Sequence, residues 1–181
     1  MKQEIRIIGG QYRGKKLSFP DIEGLRPTPD RVRETVFNWL MHDIRDARCL
    51  DAFAGSGALG FEAFSRGAAQ VLFVEQSPQA YANLHKIITS FNSPILKIIK
   101  TDARAYLQSS KEQFDIIFLD PPFAQNYLPQ CIQELTQNDI LVPGGLVYLE
   151  SPTAIELNEK SWRTVKLKKA GQVVYGLFEK L

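Results

Sequence analysis

The chain has 181 residues, 44% hydrophobic and 23% charged, the make-up of one soluble globular domain with its own core. No apolar run approaches the roughly 18 residues of a membrane-crossing helix, and the opening Met1-Lys2-Gln3-Glu4-Ile5-Arg6 lacks the apolar centre of a secretory leader. Net charge is only +2. Cys49 and Cys131 are too few for a disulfide framework and fit a reducing cytoplasm, while His42 and His85 stand outside any metal motif, which argues against metal and histidine catalysis.

The charge is uneven. Residues 1–33 hold eight basic and four acidic side chains, a surplus of four, which leaves the remainder at −2. A basic end on a nearly neutral chain points to a polyanion partner. Within residues 4–19, two β-prone runs flank Gly9-Gly10, which predicts a hairpin or loose β-ribbon with cations on both arms. Residues 20–29 are rich in proline and glycine and form a loop. Thr28 or Asp30 then caps a helix from about Arg31 to Met41, with Pro29 in its first turn. Val32, Val36, Phe37, Trp39 and Leu40 make its apolar stripe, and Arg31 and Arg33 are expected outside it, toward solvent or a polyanion.

From Cys49 onward strands and helices alternate, the pattern of a parallel α/β sheet. Strands are expected near 48–52, 70–75, 95–100, 114–120, 144–150 and 172–179, and helices near 57–66, 78–90, 103–109 and 127–138. Trp162 to Leu167 is a further candidate strand, and the last strand is expected to pair antiparallel.

The strand Arg48-Cys49-Leu50-Asp51 runs into Ala52-Phe53-Ala54-Gly55-Ser56-Gly57-Ala58-Leu59-Gly60, a G-x-G-x-x-G pattern opening a helix. Such glycines let backbone approach a ligand, and a helix start offers free N–H groups. Dinucleotide enzymes and methyltransferases share this feature. Asp51 separates them, because a carboxylate there repels a pyrophosphate but suits the ammonium of S-adenosylmethionine. Glu75, ending the next strand, can accept both ribose hydroxyls. Asp102 can accept from an adenine amine while the Ala103 N–H donates to the ring. Phe53, Gly55 and Gly57 complete the candidate cofactor set.

The apolar run Phe114 to Leu119 delivers Asp120-Pro121-Pro122-Phe123 at a fourth strand end. Two prolines fix φ near −65° and lack N–H groups, so this segment is stiff and its carbonyls are free to accept. A carboxylate, rigid carbonyls and an aromatic face together suit a flat group bearing an NH₂. These four residues are the candidate catalytic set.

Arg6 to Lys15, Leu25 to Leu40, Asp51 to Gly60 and Asp120 to Phe123 together resemble the RsmD family of bacterial 16S ribosomal RNA guanine-N2 methyltransferases. The resemblance spans nearly the whole chain. It implies a Rossmann-like class I methyltransferase fold with a mostly parallel seven-stranded sheet. It implies a basic N-terminal hairpin over residues 1–24 before a methyltransferase domain over 25–181. It also implies S-adenosylmethionine as donor and guanine 966 of 16S RNA, in an assembling 30S subunit, as target. On this basis Arg6, Arg13, Lys15, Lys16, Arg26, Arg31 and Arg33 are expected to hold RNA phosphates, and the protein to act as a cytoplasmic monomer. Ser77 and Lys15-Lys16 depart from the family pattern, which often has an acid and arginine at those places. Three alternatives stay open at this point: a DNA adenine-N6 methyltransferase, a dinucleotide oxidoreductase and a non-catalytic RNA-binding assembly protein.

Overall fold

The computed structural model describes residues 2–181. Strands β1 (Lys2–Arg6) and β2 (Lys16–Pro20) pair antiparallel in a two-stranded sheet, followed by helix α1 (Asp30–Trp39). Next come β3 (Arg48–Asp51), α2 (Ala58–Ser65), β4 (Gln70–Glu75), α3 (Pro78–Phe91), β5 (Leu96–Lys100), α4 (Ala103–Ser109) and β6 (Phe114–Leu119). The chain ends with α5 (Leu128–Gln137), β7 (Leu141–Ser151), β8 (Trp162–Ala170) and β9 (Val173–Lys180). The main sheet has seven strands in the order β5-β4-β3-β6-β7-β9-β8. All pairings from β5 to β7 are parallel, and β9 runs antiparallel to both β7 and β8. The expected antiparallel last strand therefore lies inside the edge strand β8 rather than at the edge.

Period-two alternation divides the core. Cys49, Val71, Phe73, Ile116 and Phe118 face one apolar cluster, shared with α1, α2 and α3. Leu50, Leu72, Val74, Ile117 and Leu119 face the other, shared with α4 and α5. Strands buried on both faces explain the near-continuous apolar runs in the sequence. The hairpin joins the first cluster through Ile5, Ile7, Leu17 and Phe19, so it is packed down rather than projecting.

Three points refine or correct these expectations. The expected hairpin is present, with Gly9-Gly10 inside a long loop between its strands. Residues 7–15 form a loop pressed onto the last turn of α2, where Gln11 N–H donates to the Ser65 carbonyl at 2.8 Å. Gly10 has φ +82°, and a Cβ there would lie 2.0 Å from the same carbonyl oxygen, so only glycine permits the approach. Second, neither Thr28 nor Asp30 caps α1. Pro29 occupies the cap position with no side-chain bond, the Asp30 carboxylate pairs with Arg33, and the Thr28 hydroxyl points at Asp120. Third, Arg33 is 1% exposed and cannot reach an RNA phosphate.

Arg33 is buried because it belongs to an ion cluster built on Glu62, which is itself 0% exposed. Glu62 Oε1 accepts from Ile8 N–H at 2.9 Å and from Arg33 Nη1 at 3.1 Å. Its Oε2 accepts from Gly9 N–H at 3.0 Å and from Arg66 Nε at 2.8 Å. One carboxylate thus ties the hairpin loop, α1 and α2 together. Breaking a buried pair leaves an uncompensated charge, which costs about 3–5 kcal/mol, whereas exposed pairs contribute about 0–1 kcal/mol. Glu62→Ala is expected to lower unfolding free energy in urea by about 3–5 kcal/mol. Arg163→Ala, which breaks the exposed Arg163–Glu179 pair, is expected to change it by less than about 1 kcal/mol.

Candidate active site

Strands β4, β3, β6 and β7 stop at one edge of the sheet, and each delivers a carboxylate there. Asp51 closes β3, Glu75 closes β4, Asp120 follows β6 and Glu150 is the penultimate residue of β7. Asp102 follows β5 in the same way. A cavity of about 770 Å³ opens at this edge with all five acids in its wall. Its position is the switch point of an open α/β sheet, where strand order reverses between β3 and β6. Residues 22–29 cover one side of it.

On one side of the cavity the acids are held by backbone. Asp51 is 2% exposed and accepts from Gly60 N–H at 3.0 Å. Burial pushes its carboxyl up to about 7, the Gly60 bond opposes this and the Glu75 charge adds to it. Glu75 Oε1 accepts from Gly55 N–H and Oε2 from Ser77 N–H, both at 2.8 Å. It therefore bridges the loops after β3 and β4. Asp102 caps α4 by accepting from Arg104 N–H at 2.7 Å. The Arg104 side chain also binds it at 2.8 Å, and that bond holds the Asp102 carboxyl below the usual carboxylate range. Arg104 in turn lies 3.9 Å from the centre of the Tyr127 ring, and Tyr127 stacks on Phe53 at 6.1 Å.

On the other side, Asp120 Oδ2 accepts from the Thr28 hydroxyl at 3.3 Å. Parallel pairing of Leu119 with Leu149 sets Asp120 beside Glu150, whose Oε1 accepts from Tyr148 OH at 2.7 Å. Burial, with the adjoining Glu150 next in effect, raises the Asp120 carboxyl well above its ordinary range. Pro121, Pro122 and Phe123 continue the wall, and Phe123 is 43% exposed toward the opening. The Pro121 carbonyl accepts no hydrogen bond among the described residues.

Asp51, Phe53, Gly55, Glu75, Asp102, Ala103, Asp120, Pro121, Pro122 and Phe123 thus share one cavity. Gly57 is outside its wall. It caps α2 with φ +84°, and a Cβ there would lie 2.4 Å from the Phe61 ring, so packing alone already requires glycine here. Of the basic residues, only Arg26 lines the cavity. Arg6 and Arg13 line a separate cavity of about 280 Å³ with Asp30 and Glu34. Lys15 sits 4.4 Å from the centre of the Phe91 ring, and Lys16 and Arg31 are exposed. The sequence reading missed Thr28, Tyr127 and Glu150. Glu150 carried a visible signal, an acid directly after the apolar run Leu146 to Leu149.

Comparison with known proteins gives these arrangements a family. The model described as "Conserved hypothetical protein 95" matches residues 5–179. Ribosomal RNA small subunit methyltransferase D of Escherichia coli strain K12 is 42% identical over 179 residues, 98% of this chain and 90% of that protein. The solved structure of the Escherichia coli protein yhhF matches with TM-score 0.89 at 42% identity, covering 98% of each chain. A more distant solved structure, SMU.776 in complex with SAH, shares the fold at 14% identity and TM-score 0.69, over 90% of this chain and 53% of that one. With one family model spanning residues 5–179 and a relative 42% identical along almost its entire length, this chain belongs to the RsmD family.

Proposed function

We propose that the protein transfers a methyl group from S-adenosylmethionine to the exocyclic N2 amine of one guanine in small-subunit ribosomal RNA, position 966 of the 16S molecule. The observation that carries this is the shared cavity, where Asp120-Pro121-Pro122-Phe123 faces Asp51, Glu75 and Asp102.

The residues fit the donor by chemistry. Asp51 suits its ammonium group, Glu75 its ribose hydroxyls, and Asp102 with the Ala103 N–H its adenine edge, while Phe53 and Gly55 lie against it. When bound, S-adenosylmethionine supplies an electrophilic methyl carried on a sulfonium. The guanine N2 lone pair is delocalised into the ring, which makes the amine a poor nucleophile. Asp120 and the Pro121 carbonyl accept its two N–H bonds and turn the lone pair out of the ring plane. Phe123 stacks on the base. The methylated nitrogen is acidic and needs no strong base, and the Asp120 carboxylate that accepts one of its N–H bonds is placed to take the proton. Orientation and charge placement supply most of the acceleration.

To reach this pocket the base leaves its stack. Arg26 at the rim, exposed Arg31 and the hairpin cations Arg6, Arg13, Lys15 and Lys16 hold the flanking phosphates. A chain of 181 residues reads little sequence by itself, so the shape of an assembling 30S particle selects the site. The same reading has the protein working as a monomer in the cytoplasm. Labelled methyl transfer tested on naked 16S RNA, assembling 30S particles and DNA is expected to succeed with the particle. Transfer to DNA alone overturns the assignment.

Donor binding is expected to depend on pH. A cation beside Asp51 requires its carboxylate, so with the carboxyl at about 7 affinity measured by calorimetry rises from pH 5 through 7 and levels off above. Asp51→Asn is expected to weaken binding and flatten this profile. Glu75→Ala loses the ribose bonds and the bridge between two loops, with an expected cost of about 1.5–3 kcal/mol in donor affinity. Unchanged affinity in Glu75→Ala rejects this placement of the ribose.

Turnover depends on Asp120. Asp120→Ala is expected to lower kcat far more than donor affinity, because its acceptor matters most as the amine becomes tetrahedral. Asp120→Asn separates two roles. Substantial activity in Asn identifies a hydrogen-bond acceptor, and activity as poor as Ala identifies the charge. Phe123→Ala is expected to cost about 1–3 kcal/mol of RNA affinity through lost stacking.

A further inference from the structure

The edge strand β8 carries Arg163, Lys166, Lys168 and Lys169 within nine residues and no acid. Arg163 is paired with Glu179 at the strand's far end. Lys166, Lys168 and Lys169 are exposed, and none has an ion-pair partner among the described residues. The register gives this row a direction. Ala170 pairs with Val173, and Val173 lies in the wall of the active-site cavity. Lys168 and Lys169 are therefore within two residues of the strand end that meets the cavity mouth. The irregular pairing between Thr164 and Lys166 shifts the alternation, so Lys166 and Lys168 share one face and Lys169 takes the other with exposed Leu167.

The hairpin is placed differently. Its loop packs on the last turn of α2, whereas the cavity meets the first turn at Ala58 and Leu59. β2 and α3 are held together by Asn83 and Ser18, on the side of the sheet that carries β4 and β5. β8 is at the opposite edge of the strand order. Polyanion-binding charge on the hairpin alone would hold RNA from one side of the cavity only.

We propose that β8 is a second phosphate-binding arm, with Lys166, Lys168 and Lys169 guiding the RNA strand across the cavity mouth opposite the hairpin. This rests on the RNA-methyltransferase assignment above. Lysines also protect sheet edges from pairing with other chains, but edge protection does not require a contact with RNA, so the two roles separate experimentally.

The test compares wild type with the triple variant K166A/K168A/K169A and with the triple Lys→Arg variant, using a 16S RNA fragment in binding titrations at several salt concentrations. Each lysine that meets one phosphate of a single strand contributes about 0.7 to the slope of log affinity against log salt. The alanine variant is expected to bind RNA more weakly with the slope reduced by about 2, while the arginine variant keeps the slope and donor affinity is unchanged in both. An alanine variant with wild-type RNA affinity and slope that self-associates identifies edge protection and overturns the proposal. If wild-type protein methylates no RNA, the functional assignment itself falls. Wild-type methylation with an unaltered alanine variant removes only the β8 arm.

Discussion

Parallel pairing holds several carboxyls at one edge of the sheet, and the site is shaped by how their mutual repulsion is met. Each acid receives its own donors, but not equally. Asp102, at the periphery, has the guanidinium and the backbone N–H of Arg104 and stays below the ordinary range. Asp51 has one backbone N–H and Asp120 one hydroxyl, and both carboxyls lie above it. The inner acids are thus under-compensated by the protein itself. That deficit favours a cationic or hydrogen-donating ligand, because its arrival relieves a cost already present in the fold. A sulfonium donor with an ammonium tail and an amine acceptor are ligands of this kind.

The catalytic edge is not independent of the hairpin. Glu62 accepts from the hairpin loop and from Arg33. Arg33 Nε reaches the Thr28 carbonyl at 3.3 Å, and the Thr28 hydroxyl donates to Asp120. A continuous polar path therefore runs from the hairpin loop to the carboxyl proposed to orient the target amine. The path fixes the segment that covers the cavity at Thr28, and Leu25 packs the same segment against the core. Arg33 suits this position better than lysine would, since a planar fork can serve Asp30, Glu62 and a carbonyl together.

Much of this was legible from residue order. Asp51, Glu75, Asp102 and Asp120 each follow an apolar run, and strand ends in a parallel sheet share one edge, so their convergence follows from the fold class. Glu150 obeys the same rule after Leu146 to Leu149 and was legible by the same logic. Arg33 was misjudged because charge was weighed before spacing. It stands three, four and seven residues before Val36, Phe37 and Leu40, squarely on the buried stripe of α1. Its partner Glu62 lies on another helix, and no local pattern links them. Gly57 has a packing role that was hidden for a related reason. A glycine motif reports that a side chain is not tolerated, but not whether the obstacle is a ligand or a ring such as Phe61. Long-range partners of this sort, including Thr28 with Asp120 and Gly10 with Ser65, appear only when the chain is folded.

A pocket of acids repels a polyanion, but the two signs are separated in depth. Asp51 and Glu150 are buried, whereas Arg26, Arg31 and the hairpin cations are exposed. At physiological ionic strength exposed charges interact over about 8 Å, while buried ones are screened less. On the proposed function, a phosphate at the rim would meet the cations first and the neutral base alone would go deeper. The same arrangement disfavours a dinucleotide. Its pyrophosphate would have to sit on the α2 N-terminus beside Asp51, within the field of Glu75 and Asp120 as well. An N–H cradle attracts phosphate only when no carboxylate stands in front of it. Here one does, since Asp51 accepts from Gly60 N–H in the first turn of α2, and this suits the proposed cationic donor better than a diphosphate.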